Sequence, residues 1–461
     1  MYKLHLILKY LRKRRIAWVS LIAVTLCTAM VLVVISVMGG WLRMFNESFH
    51  SISGDIIVQG KSETGFPDYQ LMIDEMKKLP EVKTAVPVIR AVGLANFNGA
   101  FSKGVQVIGY PPTIGEVNGF ADSLNRFKGS KNITFDLLPD VQYSQPGQIK
   151  ADVTKWRGMI PGGALIGVHK DDNGNFVRPD GMYRAYVDLT LLPISPYGTK
   201  IDLTAKSRSF YWIIDDSRSK VSIQDSNTVY VAFADLQREL QMDGSDNQPP
   251  RTSDIQVALK PGVDLEKGRQ KIEQVVTAVK NRNLPAGVQT AWDPFPVEVQ
   301  TWKERHQDFI HAVEKEKGLM TILFLIISVV SAFLVFCIFY MIVVEKTRDI
   351  GIIKSIGATS GGIASIFLGY GMSIGILGGL LGLGSAWLVV HYINQLHELL
   401  GKVGIVMWDP KVYLFDLIPN TMDPTEATVI VIVAIFFSVV GSAYPAWRAS
   451  RMHPIEALRW E

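Results

Sequence analysis

Apolar and polar positions fall into two regimes along this 461-residue chain. Ile16–Met38, Gly318–Val344, Gly362–Val390 and Thr428–Tyr444 contain no Asp, Glu, Lys, Arg or His. Each approaches or exceeds the ~20 apolar helical residues that a bilayer core requires. Between the first and second of these runs the pattern changes. Asp55–Gln59, Thr84–Asn96, Val105–Tyr110, Ala185–Leu192, Ser209–Asp215, Thr228–Ala232 and Asp254–Leu259 read as strands, with a turn at Asn98-Gly99. Pro67–Leu79, Phe233–Gln241 and Val263–Asn281 read as helices, and Leu265, Ile272, Val275, Val276 and Val279 form one apolar stripe on the last. A strand followed by a helix near both ends of this region predicts an α+β fold in two lobes. Gly119–Gly158, rich in Ser, Lys, Asn, Gly and Pro, reads as an insertion or loop.

The expected fold class is an integral membrane protein with four transmembrane α-helices and a large α+β domain inserted between helices 1 and 2. The boundaries that follow are a basic N-terminus (1–15), four spans (16–38, 318–344, 362–390 and 428–444), the inserted domain (39–317), a connector (345–361), a loop (391–427) and a C-terminal tail (445–461). The N-terminal run is too long for a cleavable signal, and Val37-Met-Gly-Gly-Trp41 is a poor cleavage site. It reads as a retained anchor.

Basic residues set the orientation. Lys3, Lys9, Arg12, Lys13, Arg14 and Arg15 precede the first span, Lys346, Arg348 and Lys354 sit in the connector, and Arg448, Arg451 and Arg459 follow the last span. The loop between spans three and four carries Glu398, Asp409, Asp416, Asp423 and Glu426 against Lys402 and Lys411. The positive-inside rule puts both termini and the connector in the cytoplasm and the α+β domain outside. Both cysteines, Cys27 and Cys337, fall inside spans, so the outer domain stands on its core rather than on disulfides. A net charge of +4 gives no footprint for nucleic acid.

Several chemistries are excluded by what is missing. Spans without ionisable groups argue against an ion-coupled transporter, so work must be powered from elsewhere. No G-x-x-x-x-G-K-[ST], H-E-x-x-H or G-x-S-x-G occurs, and the eight histidines lack metal-ligand spacing. The expectation is therefore no catalytic, cofactor or metal site in this chain.

Four constellations remain. The connector Glu345-Lys-Thr-Arg348-Asp-Ile-Gly351-Ile-Ile-Lys354-Ser-Ile-Gly357-Ala is short, charged and amphipathic, a handle for another protein or a segment lying on the bilayer surface. Gly371, Gly375 and Gly379 recur every four residues in the third span, beside Gly378 and Gly382, and favour close helix packing over a pore lining. Trp41, Leu42, Phe45 and Phe49 after the first span, with Trp302, Phe309, Ile310 and Val313 before the second, read as helical stalks or as interfacial anchors. Trp41, Leu42 and Phe45 are the candidates for contact with lipid or a lipid-modified substrate. Finally, Pro193–Ser207, with Pro193, Pro196 and Tyr197 near its start, reads either as a projecting hairpin that docks a partner or as an ordinary long loop.

The connector, the glycine-rich third span and the ending Tyr444-Pro-Ala-Trp-Arg448-Ala-Ser-Arg-Met-His-Pro454-Ile-Glu456-Ala-Leu-Arg459 resemble the FtsX/MacB-type permeases of ABC transporters. Trp302-Lys-Glu-Arg, Asp409-Pro-x-x-Tyr413 and Leu417-Ile-Pro419 look most like the lipoprotein-releasing permeases LolC and LolE. That resemblance implies a mechanotransmission machine in a bacterial inner membrane, with a MacB-like periplasmic domain. A cytosolic ATPase dimer of LolD type would hold ATP and Mg and grip Arg348, Ile350, Gly351, Ile352, Ile353, Lys354 and Gly357. A second permease copy or a paralogue would complete the membrane assembly. It further implies a lipoprotein substrate, membrane lipid and a periplasmic chaperone of LolA type as partners, with Pro193–Ser207 at the place of the chaperone-binding hook. The alternative within the same fold is a permease that drives efflux or a cell-wall hydrolase.

Overall fold

The computed structural model describes residues 15–139, 141–143, 156–170, 176–191, 207–219, 222–245, 249–283, 295–405, 408 and 417–453. The chain divides into two compact units, with boundaries between Met44 and Phe45 and between Gln307 and Asp308.

In the inserted domain, β1 (Ile56–Gly60), α2 (Tyr69–Lys77), β2 (Val82–Phe97), β3 (Phe101–Tyr110), β4 (Arg157–Pro161), β5 (Tyr186–Leu191), β6 (Ser207–Ile213), β7 (Thr228–Ala232), α3 (Phe233–Glu239), β8 (Asp254–Leu259), α4 (Leu265–Asn283) and β9 (Val297–Thr301) follow the helix α1 (Arg15–Ser53). Among the described residues nine strands join one sheet in the order β9-β1-β8-β2-β3-β7-β4-β6-β5, and β5 pairs back onto β2. The 16-residue β2 serves both lobes. Its first half pairs with β8, while Gly93–Phe97 is bonded on both edges, to β3 and to β5. Six strands therefore close into a small barrel, a device that removes free sheet edges. Alternation along β2 shows the closure directly: Ala95 and Phe97 point into the core and Val92 and Leu94 point out. A Cβ on Gly93 would lie 2.8 Å from Leu191 Cδ2 and 3.0 Å from Thr190 O, so a side chain there would press on the closing strand.

The other lobe is an open sheet, β9-β1-β8-β2, covered by α2 and α4. From the predicted stripe Ile272, Val276 and Val279 are buried, with Val275 packed beside them. Each such buried side chain contributes about 1.5–3 kcal/mol relative to exposure. The segment after Gly119 differs from the insertion expected from its composition. Phe120, Ala121, Leu124, Ile133 and Phe135 are buried with Tyr110 and Tyr230, so a polar-looking stretch supplies core residues at wide spacing.

In the membrane unit, α5 (Gln307–Glu345), α6 (Thr347–Ser355), α7 (Ser360–His391), α8 (Ile393–Lys402) and α9 (Pro424–Arg451) follow. Among the described residues, four helices are long and apolar enough to cross a membrane: Trp18–Ser53, Gln307–Glu345, Ser360–His391 and Pro424–Arg451. Their starts are marked locally. Thr359 Oγ1 accepts from Gly362 N (3.1 Å), and Asp423 Oδ1 accepts from Thr425 N (2.8 Å) ahead of Pro424 at the first helical position.

Candidate functional site

Within the expected connector, 345–361, the helix covers only part of the segment. Thr347–Ser355 is helical, about two and a half turns, and ends because Gly357 takes φ +104°, a conformation available to glycine at little cost. The Gly357 amide donates to Lys354 O and the Ala358 amide to Ile353 O, closing the helix end and turning the chain toward α7. Gly357 thus has a local structural duty apart from any docking role.

The seven connector residues divide by face. Ile350 is buried against Val343, Ile363 and Ala449, and Gly351 is buried too. These two are occupied by the chain's own packing and leave the surface expected for a partner. Lys354 Nζ donates to Ser450 O (2.8 Å) and Met452 O (2.7 Å), so it fastens α6 to the end of α9. Arg348 and Ile352 face outward and Ile353 is half-buried. The outward face also includes Ile356, 82% exposed, which sequence reasoning passed over. Its spacing of four from Ile352 was the available signal. Lys346 and Asp349 form an ion pair along the helix.

The glycines of α7 form two packing tracks. A Cβ on Gly371 would fall 2.6 Å from Ser442 Cβ, on Gly375 3.0 Å from Ser438 Cβ, and on Gly379 3.2 Å from Val431 Cγ1, all on α9. Ser438 Oγ donates to Gly371 O at 2.9 Å across the same seam. On the second track, Gly378 and Gly382 would meet Val24 and Thr28 of α1 at 2.8 and 2.7 Å. In lipid, where apolar burial gives helices little drive to associate, close backbone approach of this kind holds them together.

Of the candidate lipid-contact residues, Trp41 and Leu42 are half-buried, with Trp41 edge-on to Phe309 at 5.7 Å between ring centroids. Phe45 is only 1% exposed, its ring tilted against Phe49 at 4.1 Å and edge-on to His306 at 6.5 Å between centroids. Its burial removes it from the surface expected to contact lipid or substrate. Burial, partly offset by the Trp302 carbonyl, holds His306 below its ordinary pKa and favours the uncharged ring among these aromatics. Pro193, Pro196 and Tyr197 lie outside the described residues.

The inserted domain carries an ion cluster centred on the buried Asp254. Asp254 accepts from Arg90 Nε (2.5 Å) and lies 3.7 Å from Arg305 Nη2, and Arg305 Nη1 donates to Gln59 Oε1 (2.7 Å). Burial opposes the charge on Arg90, but Asp254 holds its pKa above the usual value; burial lowers that of Arg305. The arrangement ties β2, β8 and β1 to the short helix Trp302–Arg305, itself closed by a Thr301/Glu304 capping box. These charges satisfy one another. Among the described residues no group of three or more His, Cys, Asp or Glu is placed to hold a metal.

Among the described residues, four apolar helices with a sheet domain between the first two, and a short amphipathic helix between the second and third, give the architecture of a multi-pass membrane protein. Residues 321–454 match the model of the FtsX-like permease C-terminal, and residues 17–135 match the MacB-like periplasmic core domain. The FtsX/MacB-type resemblance is borne out by both. The chain is similar to the lipoprotein-releasing system transmembrane protein LolC of Neisseria meningitidis serogroup B (32% identical over 167 residues, 35% of this chain and 40% of the relative). It is also similar to LolC of Xylella fastidiosa strain 9a5c (30% over 167 residues, 36% and 40%). These matches span about two fifths of the relatives' length. The crystal structure of the periplasmic region of MacB from Actinobacillus actinomycetemcomitans superposes with TM-score 0.31 and 9% identity over 58% of this chain and 97% of its own; that superposition is too loose to add weight.

Proposed function

We propose that this chain is the permease subunit of an ABC transporter that releases lipoproteins from a bacterial inner membrane to a periplasmic chaperone of LolA type. Both termini and α6 face the cytoplasm in this reading, which the basic residues flanking the spans support. A separate LolD-like ATPase dimer binds ATP and Mg and hydrolyses the nucleotide; this chain is not itself an enzyme. A second permease copy or a paralogue completes the membrane assembly.

The observation that carries the reading is the division of α6 into two faces. Ile352 and Ile356 point outward as an apolar pair that fits a groove on a partner, with Arg348 setting its register. Ile350 and Lys354 fasten the other face to the ends of the membrane helices. Motion of the ATPase then has a rigid path into α7 and α9. Each acyl methylene drawn from the bilayer costs about 0.8 kcal/mol, so lifting two or three chains calls for ATP, and Trp41 and Leu42 are the residues we assign to contact with them. The similarity to LolC proteins supports the lipoprotein cargo.

The match to the MacB-like core supports a second reading, in which the same movement drives efflux or a cell-wall hydrolase and no lipid is handled. The deciding experiment reconstitutes the chain with its ATPase and partner permease in liposomes holding a fluorescent triacylated lipoprotein. ATP-dependent transfer to a soluble acceptor is expected, and Ile352→Asp/Ile356→Asp should abolish it together with ATPase co-purification. An active, fully assembled ATPase that transfers no lipoprotein would overturn the release reading in favour of the second.

A further inference from the structure

The segment between the third and fourth membrane helices contains an element that its charge count concealed. One residue after α7 ends, the chain forms α8, Ile393–Lys402, whose apolar and polar residues separate almost completely. At 100° per residue Ile393, Leu396, Leu399, Leu400 and the following Val403 fall within one arc of about 120°, while Asn394, Gln395, His397, Glu398 and Lys402 occupy the opposite side. In a water-soluble protein the apolar arc would turn inward. Here none of the ten helical residues is buried, and Leu396, Leu399 and Val403 are 41%, 61% and 75% exposed.

The polar side makes the attachment. Asn394 Nδ2 donates to Ile418 O and Asn394 Oδ1 accepts from Ile418 N, both at 3.0 Å. The next residue, Pro419, presses on α1 so closely that a Cβ on Gly40 would lie 2.5 Å from Pro419 Cβ. Nearby, Lys317 pairs with Glu426 at 2.5 Å. The helix is thus held by its polar flank and presents its apolar flank away from the chain, at the end of a helix long and apolar enough to cross a membrane.

We infer that α8 is an interfacial membrane element, lying in the plane of the leaflet with Leu396, Leu399 and Val403 in the headgroup–acyl boundary. Continuity with the membrane helix α7 assigns lipid as the occupant. Glu398 and Lys402 balance one another on the wet face, so insertion rests on apolar area and is indifferent to anionic lipid. Through Asn394, Ile418 and Pro419 the leaflet is wired to α1, so a change in local lipid packing, such as the withdrawal of an acylated protein, has a path to the first membrane helix. The inference rests on the membrane reading of α7 and not on the cargo.

The test places nitroxide labels singly at Leu396, Glu398, Leu399, Lys402 and Val403 in the full chain, in a Cys27→Ala/Cys337→Ala background. The protein is reconstituted in phosphatidylcholine vesicles with and without phosphatidylglycerol. Oxygen accessibility is expected to exceed that of a water-soluble nickel complex severalfold at 396, 399 and 403, with the ratio reversed at 398 and 402 and unchanged by phosphatidylglycerol. Equal nickel accessibility at all five positions would place the helix in water and overturn the inference. Shielding of 396, 399 and 403 from both reagents would overturn it in favour of a protein cover, such as a second copy of this chain.

Discussion

Replacing Lys354 with Met tests whether α6 is locked to α9 through one side chain. Its ammonium donates at 2.8 and 2.7 Å to the carbonyls of Ser450 and Met452. Carbonyls at a helix C-terminus have no partner within the helix and sit at the negative end of its dipole. A hydrogen bond from a charged donor contributes about 1.5–3 kcal/mol when well buried. Lys354 is half-buried, and water can replace it at both carbonyls, so the pair together should contribute about 1–3 kcal/mol. At 1.4 kcal/mol per factor of ten, local opening of α6 should become about 5–150 times more frequent. Amide hydrogen exchange in nanodiscs reads this directly: Ile356, Gly357 and Ala358, whose amides close the helix end, should lose protection by that factor. The amides in the middle of α7 should not change, and Lys354→Arg should restore most of the protection. Unchanged exchange at 356–358 in Lys354→Met, or a loss spread evenly over the membrane helices, would refute the locking argument.

Gly371→Ala drives a methyl into Ser442 and should cost about 1–3 kcal/mol of packing, seen as a lower melting temperature in detergent. Gly384→Ala, with open space at its Cβ, should be neutral, and Ser442→Gly should partly rescue Gly371→Ala. Phe45→Ala should destabilise by about 3–5 kcal/mol and lower the amount of folded protein in membranes; normal abundance with a selective loss of release would instead return Phe45 to the lipid-contact set. Burial favours the neutral form of Asp55, but His50 and the Leu259 amide, each at 2.7 Å, hold its pKa below the usual carboxylate value. A depressed folded pKa gives stability that is present above the unfolded carboxylate pKa and is lost as pH falls through the folded value. Asp55→Asn should therefore flatten the acid limb of a melting-temperature profile between about pH 5 and pH 2, and an unchanged limb would count against the pairing.

Much of this molecule was legible in one dimension. The four apolar runs, the amphipathic α4 and the strands Thr228–Ala232 and Asp254–Leu259 depend on interactions within a few residues, so hydropathy and periodicity reveal them. The two glycine tracks also follow from spacing, because a helix places every fourth residue on one side. The tertiary structure decided which helix each track meets, and it closed the barrel by pairing Gly93–Phe97 on both edges, a bond pattern between positions almost a hundred residues apart. It drew Phe120, Ile133 and Phe135 into a core from a stretch whose composition reads as loop. It also withdrew Ile350 and Phe45 from the surface and set Ile356 on it, since amphipathicity marks an apolar face without saying what covers that face. The same reason explains α8. Its periodicity was present in the residues 393–403, but only the anchoring of Asn394 to Ile418 shows that the helix is held through its polar flank, with Glu398 and Lys402 still exposed, and that the apolar side is left for something else.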